Sequence, residues 1–337
     1  MAVTETGENL IFLISQPRTG STLLQRMIAS HPAVHTTAEP WLMLPITYTL
    51  KQNRVQVEYN GELASTAIAE FLDALPEGDS LYKQGIAKMA AALYDRACQQ
   101  TGRTHFLDKT PRYYLIIPEL AEIFPEARFI FLYRNPLAVL ASILEKNVKE
   151  HWVLLGRHRD DLLTAPAKLL EAAALLPDRA ISVRYEKLVD QPTIELEKIC
   201  RFIEIDYNES MIEYGAARTP TGSMGDTTQV NEHSSPVATR KSRWLRLADH
   251  PQTRHYALAY LEELGDDTIA GMGYNSDELK TQLLSQPARS RHSKPTWAEL
   301  MNPDAAMHNR FYYLELALLE HKRITQAIRR RFPPKRR

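Results

Sequence analysis

Residues 10–30 read LIFLISQPRTGSTLLQRMIAS, and the order of their parts decides the fold. Leu10 to Ser15 is a short, nearly continuous apolar run, the pattern of a strand covered on both faces. Thr22 to Ser30 follows as a helical stretch, ended by His31-Pro32 because the residue before a proline is pushed out of the helical region. The connecting SQPRTGST, Ser15 to Thr22, therefore sits where a strand hands over to a helix. A loop in that position points backbone N–H groups and a helix N-terminus at one anion, and Gly20 lets the backbone approach closely. This is a phosphate cradle by position. It is not a Walker A loop: Ser21 stands where that pattern has its Lys, the leading Gly is missing, and the cation is Arg18.

Outward from this unit, strand and helix signals alternate. A helix is expected over Ser80 to Gln100 with Gly102 as its C-cap, then a strand over Thr104 to Leu107 and a helix over Pro118 to Phe124. A strand over Arg128 to Tyr133, a helix opening at Asn135-Pro136, a strand over Ala180 to Arg184 and a helix over Thr193 to Ile203 continue the theme. Four strand-to-helix steps predict an α/β fold, a P-loop-like parallel sheet flanked by helices. The expected domain covers 1–284, a polar linker SQPARSRHSKPT covers 285–296, and 297–337 is a C-terminal amphipathic helix with a basic tail. That helix docks on its own domain, or makes a homodimer or partner contact.

The 337 residues carry 41 Lys+Arg and 41 Asp+Glu, so a broad nucleic-acid surface is not expected. The neutrality is a sum: His321 to Arg337 holds eight basic residues and no acid, and the body ahead of it is acidic by the same eight charges. The tail is thus a candidate docking surface for an acidic partner such as a carrier protein. With no apolar run long enough to span a membrane and no secretory signal, the chain reads as soluble, unprocessed and cytoplasmic. Its two cysteines, Cys98 and Cys200, are expected to be reduced and buried, which excludes a disulfide framework or a thiolate metal cluster.

A second motif, YRNPLAVLAS at Tyr133 to Ser142, puts Arg134 at the carboxyl end of a strand and Ser142 two turns into the next helix, where both reach one anionic group. Together, PRTGSTLL and RNPLAVLAS resemble the two phosphate motifs of the sulfotransferase superfamily, and LDKTPRY (Leu107 to Tyr113) and VRYEKLV (Val183 to Val189) resemble further family segments in the expected order. The resemblance covers roughly residues 9 to 250 and implies 3′-phosphoadenosine 5′-phosphosulfate (PAPS) as sulfuryl donor, with 3′,5′-ADP (PAP) as product. It places Arg18 on the bridging oxygen and the transferring group, Thr19, Gly20, Ser21 and Thr22 around the 5′-phosphate, Arg134 and Ser142 on the 3′-phosphate, Tyr185 near the adenine, and Arg243 closing over the 3′-phosphate.

The general base departs from the small-molecule branch, which has a His in a KTHxP-like segment where this chain has Asp108-Lys109-Thr110-Pro111. The tyrosylprotein sulfotransferase-like branch is more similar: its loop is followed, through a His-Pro pair, by a catalytic Glu, as PRTGST, His31-Pro32 and Glu39 are here. That likeness makes Glu39 the base and puts Lys109 on the sulfuryl oxygens. Among the histidines, His31 and His35 lie near Glu39 in sequence, and His151 and His158 lie in a candidate acceptor-side lid, with His151 the second choice for the base. Segments Glu39 to Asn60 and Glu145 to Pro166 are expected to line an acceptor pocket, where Trp41, Leu42, Met43, Leu44, Trp152 and Leu154 suit a partly hydrophobic hydroxyl substrate, small or carrier-bound. A P-loop small-molecule kinase and a non-catalytic nucleotide-binding protein stay open as alternatives.

Overall fold

The computed structural model describes residues 2–51, 61–149, 151–216, 235, 241–286 and 296–301. These fall into two compact units, one built from Met1–Asn135, Ala165–Lys241 and Gly271–Gly273, the other from Pro136–Thr164, Ser242–Ala270 and Tyr274–Arg337.

The first unit is organised by a five-stranded sheet of β1 (Leu10–Ser15), β2 (Val34–Thr36), β3 (His105–Lys109), β4 (Arg128–Tyr133) and β5 (Ala180–Arg184), in the order β2-β3-β1-β4-β5. Every pairing is parallel, with Leu10 opposite Phe106 and Ile11 opposite Arg128. All six residues of β1 are buried, as its unbroken apolar run requires of a central strand. Alternation then assigns the faces. Ile11, Leu13, Leu107, Ile130 and Leu132 pack with helix α1 (Ser21–Ala29) and with the helices that follow β5. Phe12 and Phe129 stack on the other face with ring centroids 5.5 Å apart, and Tyr113 and Phe124 meet the Phe12 ring there. A fully buried side chain of this kind stabilises the fold by roughly 1.5–3 kcal/mol.

Four of the five strands and the helices after them follow the sequence reading closely; Gly102 is in the left-handed region as the C-cap of helix Gly78–Thr101. Helices Gly61–Asp73, Ala165–Leu175, Tyr185–Asp190 and Pro251–Leu264 add to that reading, and three further features differ from it. β2 was not expected, because three residues reading VHT are too short to show alternation. β3 runs on through Asp108 and Lys109, a charged pair that reads as loop but is buried because each side chain has partners. The stretch after helix Pro136–Ile143 is a run of short π- and 3₁₀-turns, Leu144–Val148, Trp152–His158 and Asp160–Thr164.

Asp108 faces the aromatic side of the sheet. Its carboxylate accepts from Tyr94 OH (2.7 Å), Thr110 Oγ1 (2.9 Å) and Tyr113 OH (3.1 Å). Complete burial pushes its pKa up to about 6 despite those three donors and the nearby Lys109 charge. The folded protein therefore holds this proton more tightly than the unfolded chain does, so the contribution is present at low pH and is lost as the pH rises from about 4 through about 6. Denaturant unfolding of wild type and Asp108→Asn across that window should show wild type losing up to about 3 kcal/mol relative to the variant, on top of a pH-independent offset from the altered hydrogen bonds. A stability difference that does not move with pH would contradict this.

In the second unit, helix Pro251–Leu264 is central: Tyr256 meets the rings of Trp152 (5.6 Å) and Trp297 (6.2 Å), and Tyr260 meets Trp297 (5.6 Å). Trp297 Nε1 donates to Glu263 and Tyr260 OH to the Leu162 carbonyl, so the polar ends of these buried rings are satisfied. Of the expected C-terminal helix, Trp297–Met301 is described and helical. Residues 302–337, with the basic tail, lie outside the described residues, as do 287–295 of the expected linker. Cys98 and Cys200 are free and buried, and burial raises both thiols, to about 12 and about 11. Among the described residues, no helix is long and apolar enough to cross a membrane.

Candidate functional site

The chain leaves β1 towards β2 on one side of the sheet and leaves β4 towards β5 on the other. The carboxyl ends of these neighbouring strands therefore flank the point where an open α/β sheet leaves a crevice. Ser15 to Gly20 turn there from β1 into α1. Arg18 has φ 73° and Gly20 φ 96°, both left-handed, and Thr19 Oγ1 ties the turn by donating to the Gln16 carbonyl (2.9 Å). Gly20 is the N-cap of α1 and no side chain caps that end. A Cβ at Gly20 would stand 2.6 Å from the Tyr185 ring, so glycine is required both by its backbone angle and by its neighbour.

Arg134 follows β4. Its Nη1 donates to the Arg18 carbonyl (3.0 Å), and its guanidinium lies 4.3 Å over the Tyr185 ring. Tyr185 opens the helix after β5, and the next residue, Glu186, accepts from the Asn135 amide (3.1 Å). Two strand ends are thereby tied to the turn after β1, and the tie brings two guanidinium-bearing residues to one helix N-terminus, a place that favours an anion.

Beside this cradle lies the second element. Lys109 ends β3 on the α1 face, with a side chain 1% exposed, and its Nζ reaches Glu39 Oε1 at 2.6 Å and Thr22 Oγ1 at 3.5 Å. Glu39 is 13% exposed and also accepts from Trp41 Nε1 (3.2 Å). Its approach is braced by Gln25 of α1, which donates to Thr36 Oγ1 and the Thr37 carbonyl, while Thr36 Oγ1 donates to the Leu107 carbonyl. A nearly buried ammonium, a carboxylate and a hydroxyl thus converge one residue into the helix whose N-terminus forms the cradle.

The structure brings together Arg18, Thr19, Gly20, Ser21, Thr22, Arg134, Tyr185, Lys109 and Glu39 in the first unit. Tyr185, expected beside an adenine, lies under Arg134 and against Gly20. Ser142, His151 and Arg243 belong to the second unit. There Ser142 lies on helix Pro136–Ile143, His151 is exposed with its amide donating to the Val148 carbonyl, and Arg243 Nη2 lies 3.3 Å from Glu145 Oε1 in an exposed pair of the kind that contributes little. His31 is used structurally: Nδ1 accepts from the Ala33 amide, Nε2 meets the Asp206 carbonyl, and burial lowers its pKa. His35 packs on Phe106 and is likewise lowered by burial, while His158 pairs with Asp161. Of the expected acceptor-lining side chains, Met43 and Leu44 are buried and Trp152 packs on Tyr256; residues 52–60 lie outside the described residues. Asp108, Gln25 and Tyr113 support the site without having been singled out; only the adjacency of Asp108 to Lys109 in LDKTPRY hinted at them.

Nodulation protein NoeE of Sinorhizobium fredii is 31% identical over 216 residues, covering 56% of this chain and 48% of NoeE. A putative protein-tyrosine sulfotransferase of Caenorhabditis briggsae is 25% identical over 219 residues, covering 61% of this chain and 69% of the relative. The chain spans about half the length of NoeE. Among solved structures, the sulfotransferase domain from the Synechococcus PCC 7002 olefin synthase shares the fold, with a TM-score of 0.50 and 24% identity over 70% of this chain and 86% of that one. The sequence model of the sulfotransferase family matches residues 10–209, a span that holds the cradle, Glu39, Lys109, Arg134 and Tyr185 and makes up more than half of the sequence; the chain belongs to the sulfotransferase family.

Proposed function

We propose that the chain transfers a sulfuryl group from PAPS to the hydroxyl of a partly hydrophobic alcohol or phenol. The observation that carries this reading is the Lys109–Glu39 pair, 2.6 Å apart, set beside an uncapped helix N-terminus with Arg18 and Arg134 next to it. The cradle fits a phosphorylated donor: glycine takes the left-handed turn at a helix N-terminus that no side chain caps, and two arginines stand at its edge. When bound, PAPS supplies a sulfuryl group attached to a phosphate that leaves as PAP.

The chain's own residues do the rest. The backbone of Thr19, Gly20, Ser21 and Thr22 holds the 5′-phosphate, and Arg134 serves the 3′-phosphate. Arg18 and Lys109 neutralise the negative charge that builds on the leaving and equatorial oxygens, the electrostatic part of a loose, in-line transfer. Glu39 takes the proton of the acceptor hydroxyl. That the Caenorhabditis briggsae relative is named a putative protein-tyrosine sulfotransferase supports a phenolic hydroxyl as one acceptor class.

Titration calorimetry with PAP tests the donor site: Arg18→Ala and Arg134→Ala should each weaken binding by about 10- to 100-fold, the worth of a charge-assisted hydrogen bond pair. Incubation with PAPS and a panel of alcohols and phenols should yield sulfate esters detectable by mass. Unaltered PAP affinity in both variants, or magnesium-dependent ATP turnover with no response to PAPS, would overturn the proposal.

A further inference from the structure

Glu39 does not sit on a helix or strand. It is carried by Glu39-Pro40-Trp41-Leu42, a short connection ahead of the helix Met43–Thr47. Trp41 in this connection has φ 54°, a left-handed angle that aromatic residues adopt only where the surroundings hold them. One end of the connection is held by Gln25 through Thr36 and Thr37. At the other end, where the Met43 side chain is buried, the Met43 amide donates to Tyr113 OH at 3.0 Å.

Tyr113 is fully buried and its hydroxyl in turn donates to Asp108 Oδ2 at 3.1 Å. Asp108 precedes Lys109 in β3, and the two side chains leave the strand on opposite faces. One dipeptide thus grips the Glu39 segment from both sides. Lys109 binds the carboxylate directly, and Asp108 holds the backbone four residues on, through the Tyr113 hydroxyl. Tyr94 also donates to Asp108 Oδ2 and its hydroxyl lies within hydrogen-bonding reach of the Tyr113 hydroxyl, but among the described residues it makes no bond to Met43.

We infer that Tyr113, fixed by Asp108, is a positioning residue that sets the base Glu39 against Lys109; the kinetic part of this inference rests on the reading of Glu39 proposed above. The hydroxyl is more than a filler of the aromatic face, because it is both the acceptor for Met43 and the donor to Asp108, and a phenyl ring of the same shape keeps the packing and loses both.

The contrast between Tyr113→Phe and Tyr94→Phe in the full chain tests it, since each removes one hydroxyl from the same carboxylate and only the first releases Met43. Tyr113→Phe should keep PAP affinity within about twofold and leave KM for PAPS unchanged, while kcat falls by about 10- to 100-fold, as expected when a reacting group shifts by an ångström or less. Amide hydrogen exchange at Met43 should accelerate. Tyr94→Phe should keep kcat within about twofold and leave Met43 exchange unchanged, which a purely structural role for the two hydroxyls would not produce. Where Tyr113→Phe does not fold, Asp108→Leu, similar in shape but with no oxygen to accept from the Tyr113 hydroxyl, takes its place with the same expected split between kcat and PAP affinity. Equal losses in the two tyrosine variants, or a full kcat in Tyr113→Phe, overturn the inference. A wild-type chain that transfers nothing from PAPS overturns the functional reading instead; exchange at Met43 then decides alone, and an unchanged rate in Tyr113→Phe overturns the tether.

Discussion

Glu39→Gln should leave PAP bound and the fold intact while transfer to any acceptor falls by about 10²- to 10⁴-fold, the usual worth of a positioned general base. Glutamine keeps the length and one oxygen, so it still accepts from Lys109 in the place of Oε1 and loses only the weaker bond from Trp41 Nε1 on Oε2. What it loses chemically is the ability to take a proton. The measurement is kcat under saturating PAPS together with PAP affinity from calorimetry. A kcat within a few fold of wild type removes Glu39 as the base and turns attention to His151 in the second unit.

Lys109→Met carries the second large effect, and on two quantities at once. Lys109 is 1% exposed, so its removal leaves the Glu39 carboxylate without its counter-ion in a site nearly closed to water. Breaking one side of a buried pair costs about 3–5 kcal/mol when both partners are sealed. The 13% exposure of Glu39 lets water reach it, so a loss of about 1–3 kcal/mol in denaturant unfolding is expected. Transfer should fall by about 10²- to 10³-fold with the loss of one preorganised charge at the reacting oxygens. Adding Glu39→Gln to Lys109→Met should restore most of the stability and none of the transfer, which separates the structural part of the pair from its chemistry. Full transfer in Lys109→Met would show that the ammonium serves the fold alone.

Much of this site was legible because its parts are local. LIFLISQPRTGST displays a strand, a turn and a helix start in thirteen residues, and the charge that replaces the Walker lysine stands within it. Arg134 was legible for the same reason, being the first cation after an apolar strand. The burial of Asp108-Lys109 was not, because the partners come from elsewhere: Tyr94 from a helix before β3, Tyr113 from the turn after it, and Glu39 from seventy residues upstream. A charged pair ends a strand on paper when its partners are out of sight. The division into two units was hidden likewise, since the second is gathered from three separate stretches of chain. The turns between Leu144 and Thr164 have neither the period of a helix nor that of a strand, so no pattern announced them.

The pairing of β1 has a consequence for how the protein comes into being. Leu10 lies beside Phe106, and Ile11 beside Arg128, so the first strand finds its neighbours only after about a hundred further residues have been made. Closing loops of that size costs entropy before any contact repays it, and parallel sheets built this way fold slowly. Residues 10–30 alone contain the whole turn, yet Arg134, Tyr185 and Lys109 reach it only once β4, β5 and β3 have docked. An emerging or half-folded chain therefore exposes an apolar strand with no working anion site behind it. On the proposed reading, competence to hold a phosphorylated donor arrives only once β3, β4 and β5 have joined β1.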